Sequence, residues 1–160
     1  MNFGDAVTKA VTKGGVATAQ AVGDLALSAE AQLQIHSAKV VSIEIAELSK
    51  KLPGDIGYTV ALVAIEAQEI ISMVEKDPRD FRAIRSFFDY NLAKSKEVIE
   101  ARVQLVGHED IQQESVGAFE KVIGEILDNF KQCAVKCRSN DVEGAAISAE
   151  ALSRIMKANI

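Results

Sequence analysis

The chain contains two prolines, and their placement decides most of what it can become. Pro53 stands in Leu52-Pro53-Gly54-Asp55 and Pro78 in Asp77-Pro78-Arg79-Asp80. Proline has no N–H for the helical ladder and its ring crowds the preceding turn, so a helix arriving from the N-terminal side stops there. The same fixed φ suits the first turn of a new helix. Two such punctuation points in 160 residues leave long stretches rich in Ala, Glu, Lys, Leu, Ile and Val. That vocabulary favours helices over strands.

Apolar periodicity then assigns the faces. From about Val16 to Lys51, Leu33, Val40, Ile43 or Ala46, and Leu48 recur near a 3.6-residue period, which predicts a first long helix. Asp55 is the expected N-cap of a second helix, Ile56 to about Lys76. Its YTVALVAI run (Tyr58–Ile65) is apolar nearly all round, as a central, buried helix would be. Asp77, Pro78 and Asp80 predict a third helix running unbroken to Val106, with Phe81, Ile84, Phe88, Leu92, Ser95, Ile99 and Val106 inward and Gly107 ending it in the left-handed conformation. A fourth helix is expected from Glu109 to Arg138, with Phe119, Val122, Ile123, Ile126, Phe130, Cys133 and Cys137 on one side. Asn140 and Glu143 resemble a capping box that opens a last helix through Lys157, inward at Val142, Ala145, Ala149, Leu152 and Met156.

The expectation is therefore an all-α chain: an antiparallel bundle of four to five helices, residues 33–160 forming one domain. Hydrophobic residues make up 48%, enough for a single core without disulfide or metal staples. Phe81, Phe88, Leu92, Phe119, Ile126, Phe130 and Leu152 are its expected centre. Residues 1–32 read as a less ordered Ala/Gly/Thr-rich arm or the start of the first helix. Phe3, Val7, Ala10 and Val11 share a face there before Gly14-Gly15, with Lys9 and Lys13 as a slender basis for contact with a membrane surface.

Charge and motifs exclude several functions. A net charge of −5 disfavours nucleic acid, whose phosphates call for clustered Lys and Arg. The start MNFGDAVTKAVTKGG has no apolar core of a secretory signal, and the run Tyr58–Ile65 stops at Glu66, so the cytoplasm is the expected compartment. Glu-x-x-His pairs of bundle metal sites are absent, since Leu33 and Leu105 precede His36 and His108 by three. Gly14-Gly15 and Gly54-Asp55-Ile56-Gly57 lack the lysine of a phosphate loop. Neither a metal nor a cofactor is expected. Cys133 and Cys137, four apart on one helix, are awkwardly placed for a disulfide and read as small core residues. A reactive thiol beside Lys131, Lys136 and Arg138 is the alternative. Arg79, Arg82 and Arg85 lie along one edge of a helix start, where an anion or acidic partner could bind. Pairing with Asp77, Asp80, Asp89 or Glu75 would equally explain them.

Arg82-Ala83-Ile84-Arg85-Ser86-Phe87-Phe88-Asp89-Tyr90-Asn91-Leu92 resembles the R-x-F-F-x-Y-Y-L-P segment of the XpaC family, the bromo-chloro-indolyl phosphate hydrolysis proteins. The stretch Asn140–Lys157, with Asp141-Val142-Glu143 and Glu150-Ala151-Leu152-Ser153-Arg154-Ile155-Met156-Lys157, is similar to that family's D-V-D-x-D-I-x-V-L-x-x-M-L-K ending. Ala93 replaces the family's proline and Asn91 its second tyrosine. Over Asp77–Lys157 the resemblance implies a helical bacterial protein associated with toxic-anion resistance or the cell envelope, and possible membrane association. The family name also implies phosphate-ester hydrolysis. Without a nucleophile–base pair or a metal cluster, a protein–protein interaction or scaffold module with a protein partner or a second copy is the favoured expectation. A phosphate-ester hydrolase, or a bundle binding phosphate or another small ligand, is the alternative.

Overall fold

Ser28 starts the first helix. Its Oγ accepts the Ala31 N–H at 3.1 Å, satisfying one of the donors that every helix N-terminus leaves open. The computed structural model describes residues 27–158, and helix α1 spans Ala29–Ser49. The expected start near Val16 lies outside the described residues; Leu27 and Ser28 are not helical, and α1 begins directly after the hydroxyl that caps it. The expectations for residues 1–26, including the arm, lie outside the described residues.

The inward stripe of α1 is Ala31, Ile35, Ala38, Ser42 and Ile45. Leu33, Val40 and Ile43 are exposed, so the expected register is wrong. Small residues occupy the buried positions because α1 lies close along its neighbours, and periodicity counts large side chains more readily than alanines. Helix α2, Gly54–Lys76, follows at Pro53. Pro53, not Asp55, stands at its N-cap, and no side chain caps it. Gly54 takes φ 56° to make the turn. At Gly57 a Cβ would lie 2.7 Å from the Leu52 carbonyl oxygen, so only glycine fits where the two helices fold back on each other.

Helix α2 is the middle of the bundle, packed against α1 and the last helix. Val60, Val63, Ala64, Ala67, Ile70, Ile71 and Val74 are buried along it. Tyr58 and Ile65 are exposed, so the YTVALVAI run is not buried all round. Length and composition alone would let α2 cross a membrane; here its apolar side forms the core.

The expected single helix from Pro78 to Val106 is broken. Helix α3 covers only Arg79–Ala83. Ile84 leaves helical geometry at φ −123°, ψ 33°, and Phe87–Asn91 form a π turn in which the Leu92 N–H reaches back to the Phe87 carbonyl. Helix α4 then runs Leu92–Gln104, and Gly107 turns the chain at φ 85°. The wider π turn spaces Phe87 and Leu92 five residues apart and still puts both inside. Phe88 consequently sits half-buried at the side, its ring 5.0 Å from Phe87. Phe87 instead meets Phe130 edge-on at 5.0 Å.

Helix α5 is one continuous rod of 46 residues, Gln113–Ala158. Asn140 is inside it and does not start a new helix. Ile123, Leu127, Phe130, Ala134 and Cys137 form its buried seam, and Ile126 and Phe119 lie half-buried beside it. Beyond Cys137 the same seam passes through Asp141 and Gly144, and the helix leaves the core. Val142, Leu152 and Met156 are 69%, 58% and 60% exposed, and Ala145 and Ala149 are exposed with them. The expectation that Leu152 joins the core is overturned. The described residues thus form five α-helices packed together, without a strand among them.

Candidate functional site

The corner where α2 ends, α3 begins and α5 departs carries the densest polar chemistry. Asp77 closes α2 in extended geometry, which frees its side chain to turn on α3. Its Oδ1 accepts the Arg79 N–H at 3.1 Å and Arg79 Nε at 3.0 Å, while Oδ2 accepts Nη2 at 2.9 Å. This hydrogen bonding holds the Asp77 carboxyl below the usual carboxylate range. Asp80, one residue into α3, is fully buried. Its Oδ1 accepts Asn140 Nδ2 from α5 at 3.3 Å, and its Oδ2 has no hydrogen-bond partner. Burial therefore pushes the Asp80 carboxyl upward, against the hydrogen bond from Asn140. Asp141, exposed on α5, completes a cluster whose carboxylate oxygens lie within 4.8 Å of one another.

On the other side of Arg79, a cleft of about 290 Å³ opens between α1 and α3. Arg79, Arg82 and Arg85 all line it, with Phe81, Pro78, Leu27, Ala31 and Gln34. The spacing-of-three edge seen in the sequence is thus gathered on one surface. Arg79 is held by Asp77, and Arg85 by Asp89, whose Oδ2 accepts Arg85 Nε at 3.2 Å. Gln34 Nε2 donates to the other Asp89 oxygen at 3.0 Å, so α1 fixes that pair. Ser28 is the hydroxyl on the cleft wall, but its Oγ already accepts the Ala31 N–H. Glu30 from α1 adds a carboxylate to this lining, and among the described residues neither histidine nor cysteine lines the cleft.

The thiols lie apart from it in the core seam, both unpaired and reduced. Burial raises both, Cys137 to about 12, with the Asp80 carboxylate as a second cause there. They are neutral thiols at physiological pH, and the lysines near Cys133 do not reverse this.

Sequence reasoning missed Asp141 and Asn140 as partners of Asp80, and it missed Arg102. Arg102 is 2% exposed, and its Nε and Nη2 both donate to Glu120 Oε1 at 3.1 Å, tying α4 to α5. No family model, curated protein or solved structure matches the chain.

Proposed function

We propose that this chain is a helical interaction module that self-associates through the projecting end of α5. One observation carries the reading: Val142, Ala145, Ala149, Leu152 and Met156 repeat at alternating spacings of three and four and are all exposed. That is the spacing of a helix–helix seam. It is offset by one residue from the continuation of the buried seam, hence by roughly 100° around the helix, so it faces away from the chain's own core.

The charges favour a second copy as occupant. Asp141 and Glu143 stand at the base of the projecting segment, and Lys157 near its tip with Arg154, which pairs with Glu150 of its own helix. In an antiparallel pair, the basic tip of each copy lies against the acidic base of the other. Such a surface is self-complementary, as a two-fold dimer interface must be. Alanines at two of the five seam positions allow the helices to approach closely. Similarity to the XpaC family adds, within the same proposal, a bacterial setting beside cell-envelope or toxic-anion-resistance proteins.

Sedimentation velocity from micromolar to millimolar concentration tests it. Wild type is expected to dimerise, and Leu152→Asp to remain monomeric with an unchanged far-UV spectrum. A wild type that stays monomeric, because residues 1–26 or nothing at all cover the seam, overturns the proposal. So does a dimer indifferent to Leu152→Asp.

The arginine cleft supports a second reading, binding of a phosphate or similar anion. Its chemistry supplies charge but no attacking group, so binding without turnover is expected. Titration with inorganic phosphate, alongside an aryl phosphate hydrolysis assay on wild type and an Arg82→Ala, Arg85→Ala double variant, separates binder from hydrolase.

A further inference from the structure

The acidic cluster at the corner has a feature that ordinary surface carboxylates lack. Asp80 is fully buried, yet one of its oxygens has no donor. A buried, unsatisfied oxygen on a carboxylate is costly, and native structures normally give such an atom a partner. Arg79 does not provide it: its guanidinium is spent on both oxygens of Asp77 and its side chain is 67% exposed. Asn140 reaches only the other oxygen of Asp80. Three carboxylates from α2, α3 and α5 thus converge, and one is desolvated.

We propose that Asp77, Asp80 and Asp141 bind a divalent cation, a hard ion such as calcium being the one their oxygen chemistry suits. Calcium takes six to eight oxygen ligands at about 2.3–2.6 Å in flexible geometry, so it tolerates three carboxylates that are close but not regularly arranged. The three oxygens here lie within 4.8 Å of one another. Magnesium demands about 2.0–2.1 Å and regular octahedral geometry, a stricter requirement for side chains arriving from three separate elements. An all-oxygen set suits either hard cation better than zinc or copper, which favour nitrogen and sulfur. Water completes the coordination on the side of exposed Asp141. The ion would supply the partner that the inner Asp80 oxygen lacks. It would also clamp α3 to α5 at the point where α5 leaves the bundle. Arg79 is then its competitor for Asp77, and being exposed it can swing aside.

The full-length chain, stripped with chelator and dialysed, is titrated with calcium chloride. Binding is read by calorimetry and by the thermal midpoint. At a hundredfold excess over Kd the midpoint is expected to rise by about 5–10 °C. Asp141→Asn, at an exposed position that leaves the fold intact, is expected to weaken binding at least about tenfold, a loss of roughly 1.4 kcal/mol in affinity. Asp80→Asn should weaken it similarly, and Arg79→Gln should strengthen it by removing the competing charge. A wild type with no saturable heat or midpoint shift at millimolar calcium overturns the proposal. A response that survives unchanged in Asp141→Asn also overturns it, by placing the ion elsewhere.

Discussion

Replacing Phe87 by alanine should be among the most damaging single changes in this chain, and more damaging than the same change at Phe88. Phe87 is 0% exposed and has a ring at 5.0 Å on two sides, Phe88 and Phe130, both edge-on. Truncating a buried phenylalanine costs about 3–5 kcal/mol through lost transfer energy and the cavity left behind. Edge-on aromatic pairs add about 0.5–1.5 kcal/mol each. The upper part of that range, about 4–5 kcal/mol, is therefore expected for Phe87→Ala. Phe88 is only half-buried and can leave a space that water reaches, so about 1.5–3 kcal/mol follows from its smaller buried area. For a chain of this size 1 kcal/mol moves the midpoint by about 2–4 °C, a separation that thermal and urea unfolding followed by far-UV circular dichroism resolve. The refuting result is Phe88→Ala costing as much as Phe87→Ala or more. That order would mean an unbroken α-helix from Phe81 to Leu92, with no π turn at Phe87–Asn91.

Arg102 and Glu120 make a second contrast. Removing Glu120 leaves a guanidinium that is 2% exposed with only Glu109, 3.8 Å away, to balance it. Glu120→Ala should cost about 3 kcal/mol, whereas Arg102→Met removes the buried charge itself and should cost less than about 1.5 kcal/mol; urea unfolding showing the reverse order would sink that account. For the thiols, burial keeps Cys133 and Cys137 protonated at pH 7–8, Cys137 rising to about 12. Both should label far more slowly with a disulfide reagent in the native protein than in urea, and equal rates would place them outside the core.

Which parts of this fold could be seen in the sequence follows from where the signals are local. Pro53 and Pro78 act on the residues beside them, so the ends of α1 and α2 were visible, as was the left-handed Gly107. Cys133, Phe130 and Cys137 fell on the correct side of α5 because a regular seam of large residues precedes them. The stripe of α1 was misread because Ala31, Ala38 and Ser42, which carry little hydrophobic signal, separate its two inward isoleucines, Ile35 and Ile45. Asn140 looked like a cap because asparagine with glutamate three residues on has that pattern. Its side chain instead serves Asp80, and the helix continues through it. A capping signature describes what a residue can do when the chain ends there, and says nothing of whether a tertiary partner has claimed the side chain first.

The arginine edge was legible because it lies within seven residues of one segment. The acidic corner was not, because Asp80 and Asn140 are 60 positions apart and meet only through the packing of α3 on α5. That packing also explains why the two proposed surfaces lie so close together. The buried seam of α5 ends at Cys137, and the next position on the same line is Asp141, whose carboxylate turns toward Asp77 and Asp80. At this point the helix exchanges apolar contact for polar contact: Asn140 donates to Asp80, and Gly144 lies against the Arg79 guanidinium. Beyond it the exposed hydrophobic residues no longer keep to one inward line: Val142, Leu152 and Met156 stand one position round from it, Ile155 on it and Ile147 apart from both. The exposure of these side chains therefore begins at the corner, where the core stops accepting α5.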